Sequence, residues 1–166
     1  MKKIILFLLI ILIPALVLGA TLIITNKPLT KEDAELYYIT GNALSIQNNY
    51  EQAVKYYEKA VSINPLHEEA HNNLAFLYNK LGEYTKAAEH MKTLVQISPA
   101  NPSYHYDYAI NLAMNIKKTK QGEIQEIETA IKEFEIAESL EQGYAHAKEN
   151  IEFLENMRDE YYSKLN

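Results

Sequence analysis

Residues Ala34–His67 read AELYYITGNALSIQNNYEQAVKYYEKAVSINPLH, and Glu68–Asn101 read EEAHNNLAFLYNKLGEYTKAAEHMKTLVQISPAN. Each segment is 34 residues long, and the two abut without a gap. Side chains of the same size recur at the same offsets. Gly41 and Ala75 share one small position, and Ala53 and Ala87 share another. Leu44 matches Tyr78, Tyr57 matches Met91, and Pro65 and Pro99 close each unit. Apolar residues recur three or four apart, which is the helical period. Each segment also carries a turn signal at its middle, Asn48-Asn49-Tyr50 in the first and Leu81-Gly82-Glu83-Tyr84 in the second. Gly and Asn suit the left-handed backbone that ends a helix. Pro cannot continue a helix interior, so it ends the unit. The pattern therefore predicts two antiparallel helices per unit, A and B. The small residues let their backbones approach.

This arrangement resembles the tetratricopeptide repeat (TPR) family, whose helix A alternates large, small and large residues. Its helix B carries Ala, an aromatic and Ala before a closing Pro. The first unit shows Tyr37, Gly41, Leu44, Ala53, Tyr57, Ala60 and Pro65. The second shows His71, Leu74, Ala75, Tyr78, Ala87, Met91 and Pro99, with Leu94 in place of the second helix-B Ala. The resemblance implies an all-α helical-hairpin solenoid that binds partners on its concave, helix-A face. By the repeat offsets that face comprises Tyr38, Asn42 and Ile46, then Asn73, Phe76 and Lys80, then Tyr106, Asp107 and Ile110. Asn42 and Asn73 fall where chaperone-binding members of the family place the Asn residues of a carboxylate clamp. The clamp's cationic positions hold Tyr38, Ser103 and Asp107. Charge-assisted capture of a C-terminal carboxylate therefore loses its strongest contribution. What remains is a groove that takes a peptide or helix through aromatic and amide contacts.

A third unit departs from the pattern. Tyr104, Tyr108, Ala109 and Leu112 read as helix A, and Ala130, Phe134 and Ala137 as helix B. Ala109 and Ala130 are 21 positions apart, against 12 in the preceding unit, so nine residues are inserted around Lys117–Gln125. Gln142-Gly143 stands where the closing Pro is missing. A last apolar stripe, Ala147, Ile151, Leu154, Tyr161 and Leu165, suits a helix that covers the open end of a solenoid. The expected organisation is a repeat at 34–67, a second at 68–101, a TPR-like third at 102–142 and a capping helix at 143–166.

Residues 1–25 stand apart. After Met1-Lys2-Lys3, the 21 residues Ile4–Ile24 carry no charge. A run of about 20 apolar residues spans a bilayer as a helix. A cleaved signal has a shorter apolar core, although Val17-Leu18-Gly19 could precede a cut. The expected segment is an uncleaved signal anchor at 1–25 followed by a linker at 26–33. Lys2 and Lys3 favour a cytoplasmic N-terminus. The expected form is a single-pass membrane protein with its helical domain outside the cytoplasm. Secretion after cleavage is the alternative.

Composition narrows the functional classes. There is no Cys, hence no disulfide and no thiolate metal site. The net charge of −6 argues against nucleic acid, whose phosphates demand a basic footprint. Residues 121–166 carry twelve acids against four bases, while residues 34–120 balance at eight each. One stretch looks enzymatic: His67-Glu68-Glu69-Ala70-His71 has the spacing of a zinc-protease helix. Pro65, however, sets His67 in a turn or first helical turn, and His71 takes a repeat position that packs between helices. His90 and Glu89 are the available third ligands. No phosphate loop, nucleophile elbow or paired-carboxylate cleft accompanies it. The expectation is a non-enzymatic protein-binding module without cofactor or metal, tethered to a membrane, serving an envelope assembly or secretion complex. The competing reading is a scaffold that self-associates through Phe153 and Tyr162. The zinc metalloprotease is a remote third.

Overall fold

The Pro residues that close each unit set the chain's turns. Asn64-Pro65-Leu66-His67 and Ser98-Pro99-Ala100-Asn101 each close with a hydrogen bond from the fourth residue's N–H to the first residue's carbonyl, at 3.0 and 3.1 Å. Helices start immediately after them. The computed structural model describes residues 28–119 and 124–163, and these form seven helices with no strand among the described residues. We number them α1 (Lys31–Ile46), α2 (Tyr50–Ile63), α3 (Glu68–Lys80), α4 (Tyr84–Ile97), α5 (Pro102–Thr119), α6 (Ile124–Leu140) and α7 (Ala147–Ser163). The expected membrane anchor at 1–25 lies outside the described residues. Among those that are described, no helix is long and apolar enough to cross a membrane.

Each helix packs on the next in chain order, as a solenoid requires. The mid-unit turns follow one plan. Asn48 and Gly82 are left-handed, at φ +58° and +75°. After Asn48, the Asn49 N–H reaches the Leu44 carbonyl at 3.0 Å, and that of Asn48 reaches Ser45 at 2.9 Å. The Gly82 turn repeats the pair, Glu83 to Tyr78 at 2.8 Å and Gly82 to Asn79 at 2.9 Å. This is the Schellman arrangement, which satisfies carbonyls left open at a helix end. The start of α5 is capped differently. Pro102 opens it, and the Asn101 side chain accepts from the Ser103 N–H at 3.0 Å.

Packing explains the small residues. A Cβ on Gly41 would lie 2.6 Å from two ring carbons of Tyr57, so α1 and α2 touch through a glycine. Tyr57 is 1 % exposed and belongs to a core with Ala53, Leu74, Leu77 and Ala87. A larger core begins at Ala75 and Met91 and runs through Phe134 to Leu154 on α7. Thus α7 buries Ala147 and Leu154, while Phe153 stays exposed. The expected insertion is spent mostly on helix: α5 has 18 residues against 13 in α3, and α6 has 17 against 14 in α4.

Candidate functional site

A cavity of about 510 Å³ opens between α3 and α5, with Met91 of α4 on its wall. Four of the residues expected on the concave face line it together: Asn73, Phe76, Asp107 and Ile110. Asn72, Asn79 and Asn111 join them, which makes the wall rich in amides. Phe76 is 62 % exposed although it sits on a helix that is otherwise well packed.

The amides hold one another. Asn73 Nδ2 donates to Asn42 Oδ1 at 2.9 Å, and the Tyr57 hydroxyl donates to that same oxygen at 2.7 Å. Asn79 Nδ2 donates to Asn111 Oδ1 at 2.7 Å, and Asn111 Nδ2 in turn donates to the Asp107 carbonyl at 2.7 Å. Asn42 and Asn73 therefore bridge α1 to α3, and Asn79 and Asn111 bridge α3 to α5. Each bridge retains unused donors and acceptors, since an amide group offers two of each.

The other expected residues lie elsewhere on the helix-A side. Tyr38 packs its ring on Tyr57 at 6.0 Å and on His67 at 4.8 Å. Ile46 is 83 % exposed at the end of α1. Lys80 donates to the Tyr50 hydroxyl at 2.6 Å and lies over the Tyr50 and Phe76 rings at 4.1 and 6.0 Å. Tyr106 turns toward α7, with its ring edge-on to Phe134 and Tyr144 and its hydroxyl accepting from Asn150 at 3.3 Å. Of the expected residues the cavity thus gathers two from the second unit and two from the third, and none from the first.

The zinc-like stretch is occupied by other contacts. His67 caps α3 from outside it, and its ring nitrogens lie 3.4 Å from Glu35 and 3.2 Å from Glu69. His71 is buried, with Nε2 3.1 Å from the Pro65 carbonyl and Nδ1 3.0 Å from Nδ1 of His90. Among the described residues no three His, Cys, Asp or Glu side chains converge to hold a metal.

Residues 44–111 match the tetratricopeptide repeat family model. Over this segment the chain is similar to tetratricopeptide repeats. Hsp70-Hsp90 organizing protein 3 of Arabidopsis thaliana is 29 % identical over 119 residues, which is 71 % of this chain and 18 % of that protein. Small glutamine-rich tetratricopeptide repeat-containing protein 2 of Saccharomyces cerevisiae is 26 % identical over 129 residues, 74 % of this chain and 36 % of that protein. The chain therefore spans well under half the length of these curated relatives. Among solved structures, a MamA protein superposes with a TM-score of 0.65 at 20 % identity, covering 77 % of this chain and 65 % of that one. The first TPR domain of RPAP3 bound to an HSP90 peptide gives 0.60 at 18 % identity, covering 78 % and 96 %. These likenesses establish the fold.

Across the three helix pairs, the buried histidines form a series. The helix-A position of His71 is held by Tyr37 in the first unit and His105 in the third. Each faces one helix-B partner: Tyr37 meets Tyr56 with ring centres 6.1 Å apart, His71 meets His90, and His105 Nδ1 meets Glu133 at 2.6 Å. His105 Nε2 also lies 2.9 Å from the Pro99 carbonyl, repeating the bond of His71 to Pro65. Sequence reading missed Asn72, Asn79 and Asn111. The repeat could have found Asn72, which takes the offset of Tyr38 and Tyr106. Asn111 sits where the earlier units have Ala43 and Leu77, and a polar residue at an apolar offset is itself a signal.

Proposed function

We propose that this protein is a non-catalytic binding module that holds a peptide or helix of a partner protein in the groove between α3 and α5. The observation that carries this reading is Phe76, a large aromatic left 62 % exposed on the wall of a cavity that four Asn side chains also line. Exposed aromatic surface beside orienting polar groups is what a protein ligand's side chain and backbone need. A similar TPR domain, that of RPAP3, has been solved with an HSP90 peptide bound, which supports peptide binding by this fold. We further propose that residues 1–25 tether the module to a membrane, with the helical domain outside the cytoplasm, in an envelope assembly or secretion complex. Tethering raises the module's concentration near membrane partners.

Photo-crosslinking from position 76 in native membranes tests the groove. One dominant foreign adduct that a Phe76-adjacent change such as Ile110→Arg removes supports it. Adducts only to a second copy shift the reading to a self-associating scaffold, for which the exposed Phe153 is the candidate contact. Alkaline extraction of the full chain, with the mass of its N-terminus, tests the tether against secretion after cleavage.

A further inference from the structure

The groove contains a carboxylate, Asp107, that forms no ion pair with another side chain among the described residues. Asp107 lines the cavity with Asn73, Phe76, Asn79 and Ile110. Its side-chain partner among the described residues is the Ser103 hydroxyl, at a long 3.4 Å. Burial pushes the Asp107 carboxyl above its ordinary range, opposed only by that hydroxyl. A carboxylate held this way gains from any cation that enters the groove. Its backbone is also fixed, because Asn111 donates to the Asp107 carbonyl and is itself held by Asn79 across the groove. A fixed acceptor loses little freedom when a ligand arrives. Lys80 donates to the Tyr50 hydroxyl and lies 6.0 Å from the Phe76 ring centre, where its ammonium forms no ion pair with Asp107. The whole chain carries −6, which favours encounter with a cationic segment.

Resting on the groove reading above, we infer that the partner segment is basic: it sets an Arg or Lys side chain on Asp107 and an apolar side chain on Phe76 and Ile110. Asp107 accepts the hydrogen bonds of the guanidinium or ammonium. Phe76 and Ile110 cover the neighbouring apolar group, and the free amide atoms of Asn72 and Asn73 meet the segment's backbone. The groove then selects against acidic tails and free C-terminal carboxylates, which Asp107 repels.

A random nonapeptide phage library, selected on the full-length chain in detergent micelles, tests this. Selection is repeated on Asp107→Asn, Asp107→Lys and Phe76→Ala, each checked for an unchanged helical melting curve. The expected result is wild-type enrichment of peptides with Arg or Lys next to an apolar residue. Asp107→Asn weakens these peptides about tenfold or more, and Asp107→Lys turns the preference toward Asp and Glu. Enrichment of acidic peptides by the wild type overturns the charge inference and leaves the groove reading standing. So does basic-peptide binding that Asp107→Asn leaves unchanged while Phe76→Ala removes it. Enrichment insensitive to Phe76→Ala, or none at all, overturns the groove reading and the inference with it.

Discussion

His71 and His90 share one hydrogen bond, Nδ1 to Nδ1 at 3.0 Å, while Nε2 of His71 lies 3.1 Å from the Pro65 carbonyl oxygen. A carbonyl only accepts, so His71 carries its proton on Nε2 and offers Nδ1 as acceptor. His90 must then donate from Nδ1. The pair can keep its bond with one added proton, but a second leaves two N–H groups facing each other. Burial opposes even the first: it lowers the His71 pKa and brings that of His90 down to about 4. Unfolded imidazoles titrate at 6.5, so the unfolded chain binds protons first as pH falls. Stability is therefore fully present above pH 6.5 and is lost progressively as pH falls toward about 4. Allowing for the partial exposure of His90, the loss is on the order of 1–2 kcal/mol. Thermal melts between pH 7.5 and 5 should show it. His90→Gln, which keeps a donor for His71, should flatten the slope. An equal slope in the variant would mean that other groups set the acid sensitivity.

Gly41 sits against Tyr57 with no room for a methyl group. Replacing it with Ala gains up to about 1 kcal/mol of helix propensity. It also forces a Cβ to 2.6 Å from a ring that is 1 % exposed and tied through its hydroxyl to Asn42. The clash wins, and Gly41→Ala should destabilise by about 1–3 kcal/mol in urea unfolding. Adding Tyr57→Leu should recover part of that loss, giving a favourable coupling energy in the double-mutant cycle. Purely additive effects would place the strain elsewhere.

Gly82 makes the opposite case. A Cβ there meets nothing within 4 Å, but the backbone is left-handed at φ +75°. Gly82→Ala should cost about 1 kcal/mol from the backbone alone, and Gly82→Asn should cost less, because Asn48 already occupies the same turn at φ +58°. If Ala and Asn behaved alike, the left-handed geometry would not be the source of the cost.

The repeat made most of the helical architecture legible, because each unit had to bury the same face at the same offsets. Gly41, Asn48, Gly82, Pro65 and Pro99 were readable for a simple reason. Each answers a backbone or steric demand that only a few residue types meet. The groove was half legible. Phe76, Asn73, Asp107 and Ile110 follow from counting offsets on helix A. Tyr106 shows the limit of counting, since the same offset that faces a groove in one unit faces a capping helix in the next. Asn42 shows another limit, because a side chain at a recognition position can be consumed by its neighbours. The His71–His90 pair was hidden by a local motif. His67 and His71 suggested zinc by spacing, whereas each has one local partner, Glu69 and the Pro65 carbonyl, and one from another helix, Glu35 and His90.

Asn42 separates a structural role from a binding role most directly. Its Oδ1 accepts from the Tyr57 hydroxyl at 2.7 Å and from Asn73 Nδ2 at 2.9 Å. Burial raises the Tyr57 pKa, so its hydroxyl stays a protonated donor in need of an acceptor. Asn42→Ala strands that donor and should cost about 1–3 kcal/mol in stability. Asn42→Asp keeps an oxygen in place and should retain most of the stability. A binding role would look different. Asn42→Asp replaces the Nδ2 donors with a second carboxylate oxygen and adds one negative charge, which a basic segment tolerates, so partner crosslinking from position 76 should fall only if those donors grip the ligand. Loss of stability in Asn42→Ala with unaltered crosslinking in Asn42→Asp would assign Asn42 to bracing α1 against α2 and α3. Weakened crosslinking in a fully stable Asn42→Asp would extend the recognition surface into the first repeat.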